Sequence, residues 1–230
     1  MNFILDFYNY RILAEYIPQF YEGFWTTLKI SFVALLGSLA IGTVFACLRL
    51  TTNPILWRLA ASYIQAVRST PLLVQIYIIY FALPEIPILD RRLNELEGGI
   101  LALALNAGAY MSEIIRAGIQ SVAKGQIEGA MSLGMTYIQR MRHVVLPQAF
   151  ARVIPPLLGQ TAVLIKDSSL VSFIGVFELF SAGVTVMTER LIPTEAFITV
   201  ALGYLAIFMV LLFSSNWAQR RLAGAGNGMI

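Results

Sequence analysis

Charge is the scarcest property of this sequence: 13% of its residues are charged and 58% are hydrophobic, whereas a soluble globular domain carries roughly 25% charged residues. That deficit excludes an ordinary water-facing surface and points to lipid as the main solvent. Cysteine is nearly absent. Cys47 is the only one, so no internal disulfide and no cysteine-based metal site can form, and its place within an apolar run reads as small-residue packing. There is one histidine, His143, and no G-x-S-x-G, no H-E-x-x-H and no pair of carboxylates in a predicted pocket, which leaves nothing resembling a catalytic or metal-ligand set. His143 sits in a basic loop and reads as a surface residue. No G-x4-G-K-[S/T] phosphate loop occurs, and the glycines between positions 224 and 228 lack the lysine such a loop needs. The chain is therefore expected to bind no nucleotide, cofactor or metal of its own. A basic stripe is missing too: the net charge of +3 comes from scattered residues, which excludes nucleic acid as a partner. Residues 1–24 have no basic start and no small-residue cleavage site, and they carry Asp6, Glu15 and Glu22, so Met1 is expected to belong to the mature protein.

What is abundant is uninterrupted apolar sequence. Residues 30–48 and 196–213 contain no charged side chain, and each run is long enough for a bilayer, which needs about 20 residues. The pattern predicts an all-α integral membrane protein with about five spanning helices. The first is 24–48, with Gly37 and Gly42 as close-approach points for a neighbour. The second, 56–83, is interrupted at Arg68-Ser69-Thr70-Pro71, where proline removes a backbone donor. The third is 98–118. The fourth, 150–180, is longer than one span needs, contains Pro155, Pro156 and Lys166-Asp167, and reads as broken or bent. The fifth is 196–217. Residues 1–22 mix aromatics with acids and read as an interfacial segment. Residues 23–217 form the transmembrane domain, with a polar loop at about 124–148, and 218–230 a mobile glycine-rich tail.

Arg49, Arg58, Arg68, Arg116, Lys124, Arg140, Arg142, Arg152, Arg220 and Arg221 gather on one side of these spans. Asp6, Glu15, Glu22, Glu85, Asp90, Glu95, Glu97, Glu178, Glu189 and Glu195 gather on the other. Because Lys and Arg resist translocation, the N-terminus is expected outside, the C-terminus inside and the 124–148 loop in the cytoplasm.

From Glu128 that loop runs Glu-Gly-Ala, Met131 to Leu133, Gly134, Met135 to His143, then Val144-Val145-Leu146-Pro147. Small residues Gly129, Ala130, Ser132 and Gly134 let a short helix sit close against a partner, Gly134 makes the bend, and Pro147 keeps the next helix from running backward. Arg140, Arg142 and His143 add donors. An ordinary amphipathic hairpin is the plainer reading. The spacing, however, resembles the E-A-A-x3-G-x9-I-x-L-P loop of permease subunits in bacterial ATP-binding-cassette (ABC) importers, with Gly129 at the second-position alanine and Val144 at the isoleucine. Residues 68–75, 109–118, 146–149 and 166–170 are similar to the polar amino-acid branch of these permeases, and the likeness covers 23–217. The resemblance implies a type I ABC importer permease fold, multi-pass in the bacterial cytoplasmic (inner) membrane, serving uptake of a polar or charged amino acid. It implies as partners a second permease, identical or paralogous, two ATPase subunits that use ATP and magnesium, and an extracytoplasmic substrate-binding protein. Glu128, Gly129, Ala130, Gly134, Leu146 and Pro147 would then carry the ATPase coupling.

An ionisable side chain at the bilayer centre costs at least about 2.5–3.5 kcal/mol, so one that persists usually faces a cavity or a partner. Lys166-Asp167 is the deepest such pair. Asp167, with the hydroxyls of Ser168 and Ser169, could line a translocation path and accept from a substrate ammonium, or the pair could form an ion pair that fixes a break in the fourth span. Glu113 and Arg116 stand three apart on one helix face and read first as a mutual pair, then as a substrate contact. Arg68 could offer a bidentate donor to a substrate carboxylate or anchor its helix by snorkelling. Gln75 could line a pore or bond between helices. An ion-gradient-driven secondary amino-acid carrier or channel is the rival function; it accounts for Lys166-Asp167 and leaves the loop unexplained.

Overall fold

The computed structural model describes residues 8, 10–86 and 92–226, with side chains as far as Ser214. Among them every regular element is helical. In chain order these are α1 (Tyr10–Ala14), α2 (Ile17–Leu50), α3 (Pro54–Arg68), α4 (Leu72–Tyr77), α5 (Glu95–Gln120), α6 (Lys124–Ser132), α7 (Tyr137–Arg140), α8 (Leu146–Asp167), α9 (Leu179–Arg190) and α10 (Pro193–Gly226). π-Helical segments occupy Ile78–Ala82 and Met141–Val145, and 3-10 stretches occupy Leu83–Glu85 and Ser168–Ile174. Among the described residues four helical stretches are long and apolar enough to cross a membrane, and the pair Pro54–Arg68 and Leu72–Glu85, bent by 111°, makes a fifth where it is counted as one broken span.

The first span starts at Ile17 rather than Phe24, so residues 17–22, expected on the surface, are its opening turns. Pro18 is compatible because a first-turn amide has no helical partner, and Phe20 is buried with Leu179, Ala182 and Val200 of α9 and α10. Residues 1–7 and 9 of the expected interfacial segment lie outside the described residues. Along α2 the small residues Thr27, Ser31, Ala34, Ser38, Gly42 and Ala46 are buried, and α5 lies on this stripe. A Cβ on Gly42 would come within 2.9 Å of Met111 Cβ, and one on Gly108 within 2.7 Å of Ile41. Close backbone approach of this kind supplies the van der Waals contact that holds helices together in lipid, where no hydrophobic drive between them remains. Gly37 meets Ala104 in the same seam.

Asn53 caps α3, its side-chain oxygen accepting from the amides of Ile55 and Leu56 at 2.9 and 3.3 Å, ahead of a first-turn proline. After Arg68 the chain turns by 111°, a sharper change than an interrupted span, because Pro71 blocks helical continuation and pushes Thr70 out of the α region. The two π segments share a cause. Ala82 precedes Pro84 and Val145 precedes Pro147 by the same interval. A proline ring collides with the carbonyl four residues back, here Tyr80 and His143, and the wider π turn over those residues makes room for it. Pro147 therefore lies inside a helical path that is continuous from Tyr137 to Ile174 and does not mark the start of a separate helix.

Pro155 and Pro156 do not break the fourth span either; α8 runs through them, held by buried Ala149 and Val153 before and Thr161, Ala162 and Leu164 after. Regular α geometry ends at Ser168 instead, and the 3-10 stretch is stopped by Gly175 at φ 96°, a backbone state that only glycine adopts without strain. Residues 175–180, expected in the fourth span, are thus a link and the start of α9. The expected tail from residue 218 is also helical as far as Gly226; residues 227–230 lie outside the described set. Two main cores result. Ile30, Ala34, Ile76, Ala102, Leu103, Ala107, Leu164, Val171, Ile174 and Val176 build one, and Leu13, Tyr16, Phe20, Leu179, Ala182, Val186, Ala196 and Val200 build the other. α2 runs through both.

Candidate functional site: a hairpin loop and the polar groups of the bundle

The loop folds into a helical hairpin whose turn is set by one glycine. Gly134 has φ 73°; its amide donates to the Met131 carbonyl at 2.9 Å and that of Met135 to Ala130 at 3.1 Å. These paired bonds are a Schellman stop for α6. Thr136 and Gln139 then form a capping box that starts α7, with the Thr136 amide donating to the Gln139 side chain at 2.8 Å. Val122, Val145 and Ala149 bury beneath the hairpin together with Ile119, Ile127 and Met141, seating it on the end of α5. Arg152 fastens the same corner by donating to the carbonyl and hydroxyl of Ser121.

Outward, the hairpin presents Met131 at 54% exposure, Leu133 at 79%, Tyr137 at 67% and Ile138 at 75%. A Cβ added to Gly125, Gly129 or Gly134 would meet nothing within 4 Å, so these glycines bare the helix without being required by any internal neighbour. Ala130 is buried, Leu146 half-buried, and Glu128, Gly129 and Pro147 exposed. A shallow recess of about 270 Å³ is lined by Gly125, Gln126, Gly129, Leu133, Met135 and Val144. An apolar, low-relief surface with the Glu128 carboxylate at its edge can dock a folded partner; it holds no arrangement for covalent chemistry.

Charges cluster at the neighbouring end of α2 and α5. Arg116 donates to both oxygens of Glu113, from Nε at 3.1 and 3.3 Å and from Nη2 at 2.6 Å, and Arg49 of α2 approaches the same carboxylate at 3.6 Å. Arg49 also lies over the Trp57 ring at 4.5 Å, and Arg68 over Tyr110 at 5.2 Å. The mutual Glu113–Arg116 pair is thus present, with Arg49 as a third member. Arg68 remains exposed.

Gln75 resolves toward the structural alternative. Its Nε2 donates to the Val67 carbonyl at 2.7 Å, the Thr70 carbonyl at 3.0 Å and the Thr70 hydroxyl at 2.8 Å, while its Oε1 accepts from Asn106 of α5 at 2.9 Å. The carbonyls freed by the 111° turn need partners, and Gln75 supplies them while tying the turn to α5. Lys166 is exposed and Asp167 half-buried. Neither carries an ion pair among the described residues, so the pair that was to fix a break does not form; regular α geometry ends directly after it and the helix stops at Gly175. Ser168 is fully buried, its hydroxyl turned onto the Ile165 carbonyl at 2.7 Å, and Ser169 bonds the Lys166 carbonyl at 2.8 Å. Of the proposed path residues, only Asp167, Lys166 and Arg68 are left with accessible, uncommitted charge.

Sequence reasoning counted Glu178 only as an acid of one face. It is completely buried, caps α9, and accepts from α2 and α10 as well as from backbone. The signal was present but weak: Glu178 directly precedes an apolar helical run, a capping position for which Ser, Thr, Asp and Asn are the strong markers. At the other end of α9, Arg190 donates from Nε to the Tyr16 hydroxyl at 2.8 Å and pairs with Glu15; the Tyr16 hydrogen bond first, then the charge of Glu15, raise it above the ordinary arginine value.

Residues 34–224 match the family described as binding-protein-dependent transport system inner membrane component. The probable glutamine ABC transporter permease protein GlnM of Bacillus subtilis is 38% identical over 215 residues, covering 93% of this chain and 98% of that protein. The arginine transport system permease protein ArtQ of the same organism is 34% identical over 207 residues, covering 90% and 93%. An amino acid ABC transporter crystallised with histidines superposes with a TM-score of 0.84 at 34% identity, covering 91% of this chain and 96% of that one. The inward-facing MetNI methionine ABC transporter, at 18% identity and a TM-score of 0.72, shares the fold. The chain belongs to the binding-protein-dependent transport system inner membrane component family, as a multi-pass permease subunit of an ABC importer.

Proposed function

We propose that this permease forms part of the translocation path for a polar amino acid, and that a separate ATPase drives it through the Lys124–Val145 hairpin. The observation that carries the coupling is the hairpin's outer surface: four large apolar side chains stand at half exposure or more beside Gly125 and Gly129, where an added Cβ would meet nothing within 4 Å. In this reading the loop faces the cytoplasm, with the N-terminus outside and the C-terminus inside. Two permeases, identical or paralogous, enclose the path; two ATPase subunits bind ATP and magnesium, and this chain binds neither. An extracytoplasmic binding protein delivers the substrate. The relatives named for glutamine and arginine support an amino acid as cargo, and Asp167, an acceptor-only carboxylate when ionised, suits its ammonium group. Replacing Glu128 with Lys, or Gly134 with Trp, should reduce co-purification of the ATPase and uptake together. Normal values for both would remove the coupling role.

A further inference from the structure

Among the described residues Glu178 is the only charged side chain that is fully buried, and the coupling and translocation roles proposed for the permease make no use of it. Both oxygens of its carboxylate are engaged. Oε1 accepts from the Ser181 amide at 2.8 Å, and Oε2 from the Phe180 amide at 2.9 Å, the Tyr204 hydroxyl at 2.8 Å and the Thr27 hydroxyl at 3.4 Å. Thr27 in turn accepts from the Leu179 amide at 3.1 Å, so the first three free amides of α9 all end in this cluster. Helix capping does not require a buried charge, since a serine or asparagine caps without one. What a carboxylate adds is capacity for hydroxyls from two further helices at once, α2 and α10. Burying it is unfavourable unless those donors are fixed.

The position in the fold is specific. Gly175, at φ 96°, lies where the chain passes from one core, which holds Val171, Ile174 and Val176, to the other, which holds Leu179. Gly23 of α2 lies so close that an added Cβ would sit 2.8 Å from the Glu178 carbonyl oxygen. The far end of α9 is tied back to the α1–α2 junction through Arg190. Both ends of α9 are thus bound to the same body, and α2, which runs through both cores, ties that body to the α5–α8 core.

We propose that Glu178, with Thr27 and Tyr204, is a positioning residue of the transport cycle: it pins α9 to the N-terminal halves of α2 and α10, so that the three helices keep one fixed arrangement through the cycle. The inference rests on ATP-driven uptake as the function, and its test separates the two. In the complete transporter reconstituted in lipid, Tyr204→Phe and Thr27→Val each remove one hydroxyl and little volume. Loss of one such hydrogen bond should lower substrate imported per ATP hydrolysed about fivefold, with KM for uptake unchanged. Spin labels at two exposed positions, Glu22→Cys in α2 and Thr188→Cys in α9 on a Cys47→Ser background, should give one narrow distance with and without nucleotide, broadened in both variants. A narrow distance retained in both variants, or import per ATP unchanged, overturns the pin. Thermal destabilisation with normal import per assembled transporter overturns it as well. An unaltered transporter that hydrolyses ATP without importing would strike the functional reading alone, because the distance measurement still decides the pin.

Discussion

At the scale of single residues, the sharpest contrast is between glycines that are required by packing and glycines that are bare. Gly42→Val places carbon within 2.9 Å of Met111 on the α2–α5 seam, where neither backbone can retreat without opening the bundle. Gly134→Ala meets nothing and carries only the cost of a left-handed non-glycine residue, about 1–2 kcal/mol. Thermal denaturation of purified protein should therefore show a marked fall for Gly42→Val and a small one for Gly134→Ala; the reverse order would contradict this packing. Gln75→Leu is a separate test. It orphans the Val67 and Thr70 carbonyls and the Asn106 amide, each worth about 1–3 kcal/mol when left unpaired, and the midpoint should drop by several degrees at roughly 2–4 °C per kcal/mol. An unchanged midpoint would mean that Gln75 does not hold the turn.

At the scale of elements, proline decides geometry in a way that its usual description as a helix breaker misses. The sequence announces every apolar run, because length and absence of charge are local properties, and the hairpin motif is legible for the same reason. It does not announce that Pro84 and Pro147 are absorbed by π segments or that α8 passes through Pro155 and Pro156, since those outcomes depend on how neighbours hold the flanking turns. Glu178 escaped for a related reason: its partners Thr27 and Tyr204 lie 151 and 26 residues away. Pro147→Ala gives a direct prediction. With the ring removed, Met141–Val145 can relax to an ordinary α turn, which rotates the hairpin against α8. ATPase co-purification should fall while the denaturation midpoint is kept or raised; full retention of the ATPase would show that the π segment is not what aims the hairpin.

At the scale of the whole molecule, the chain is a bundle in which small residues bring α2 and α5 together, a second core gathers α1, α9 and α10, and one helical hairpin projects at the end where Arg49, Glu113 and Arg116 meet. In the proposed function, the exposed apolar face of this hairpin is where an external motor acts. The rival function, an ion-gradient-driven carrier, draws on Lys166 and Asp167, which lack an ion partner among the described residues. The decisive measurement is uptake of a polar amino acid by the reconstituted permease, ATPase and binding protein with the ion gradients dissipated. Uptake by an ATP-driven importer should require hydrolysable ATP, survive dissipation and be lost with Glu128→Lys; uptake that persists without ATP and collapses with the gradient would contradict it.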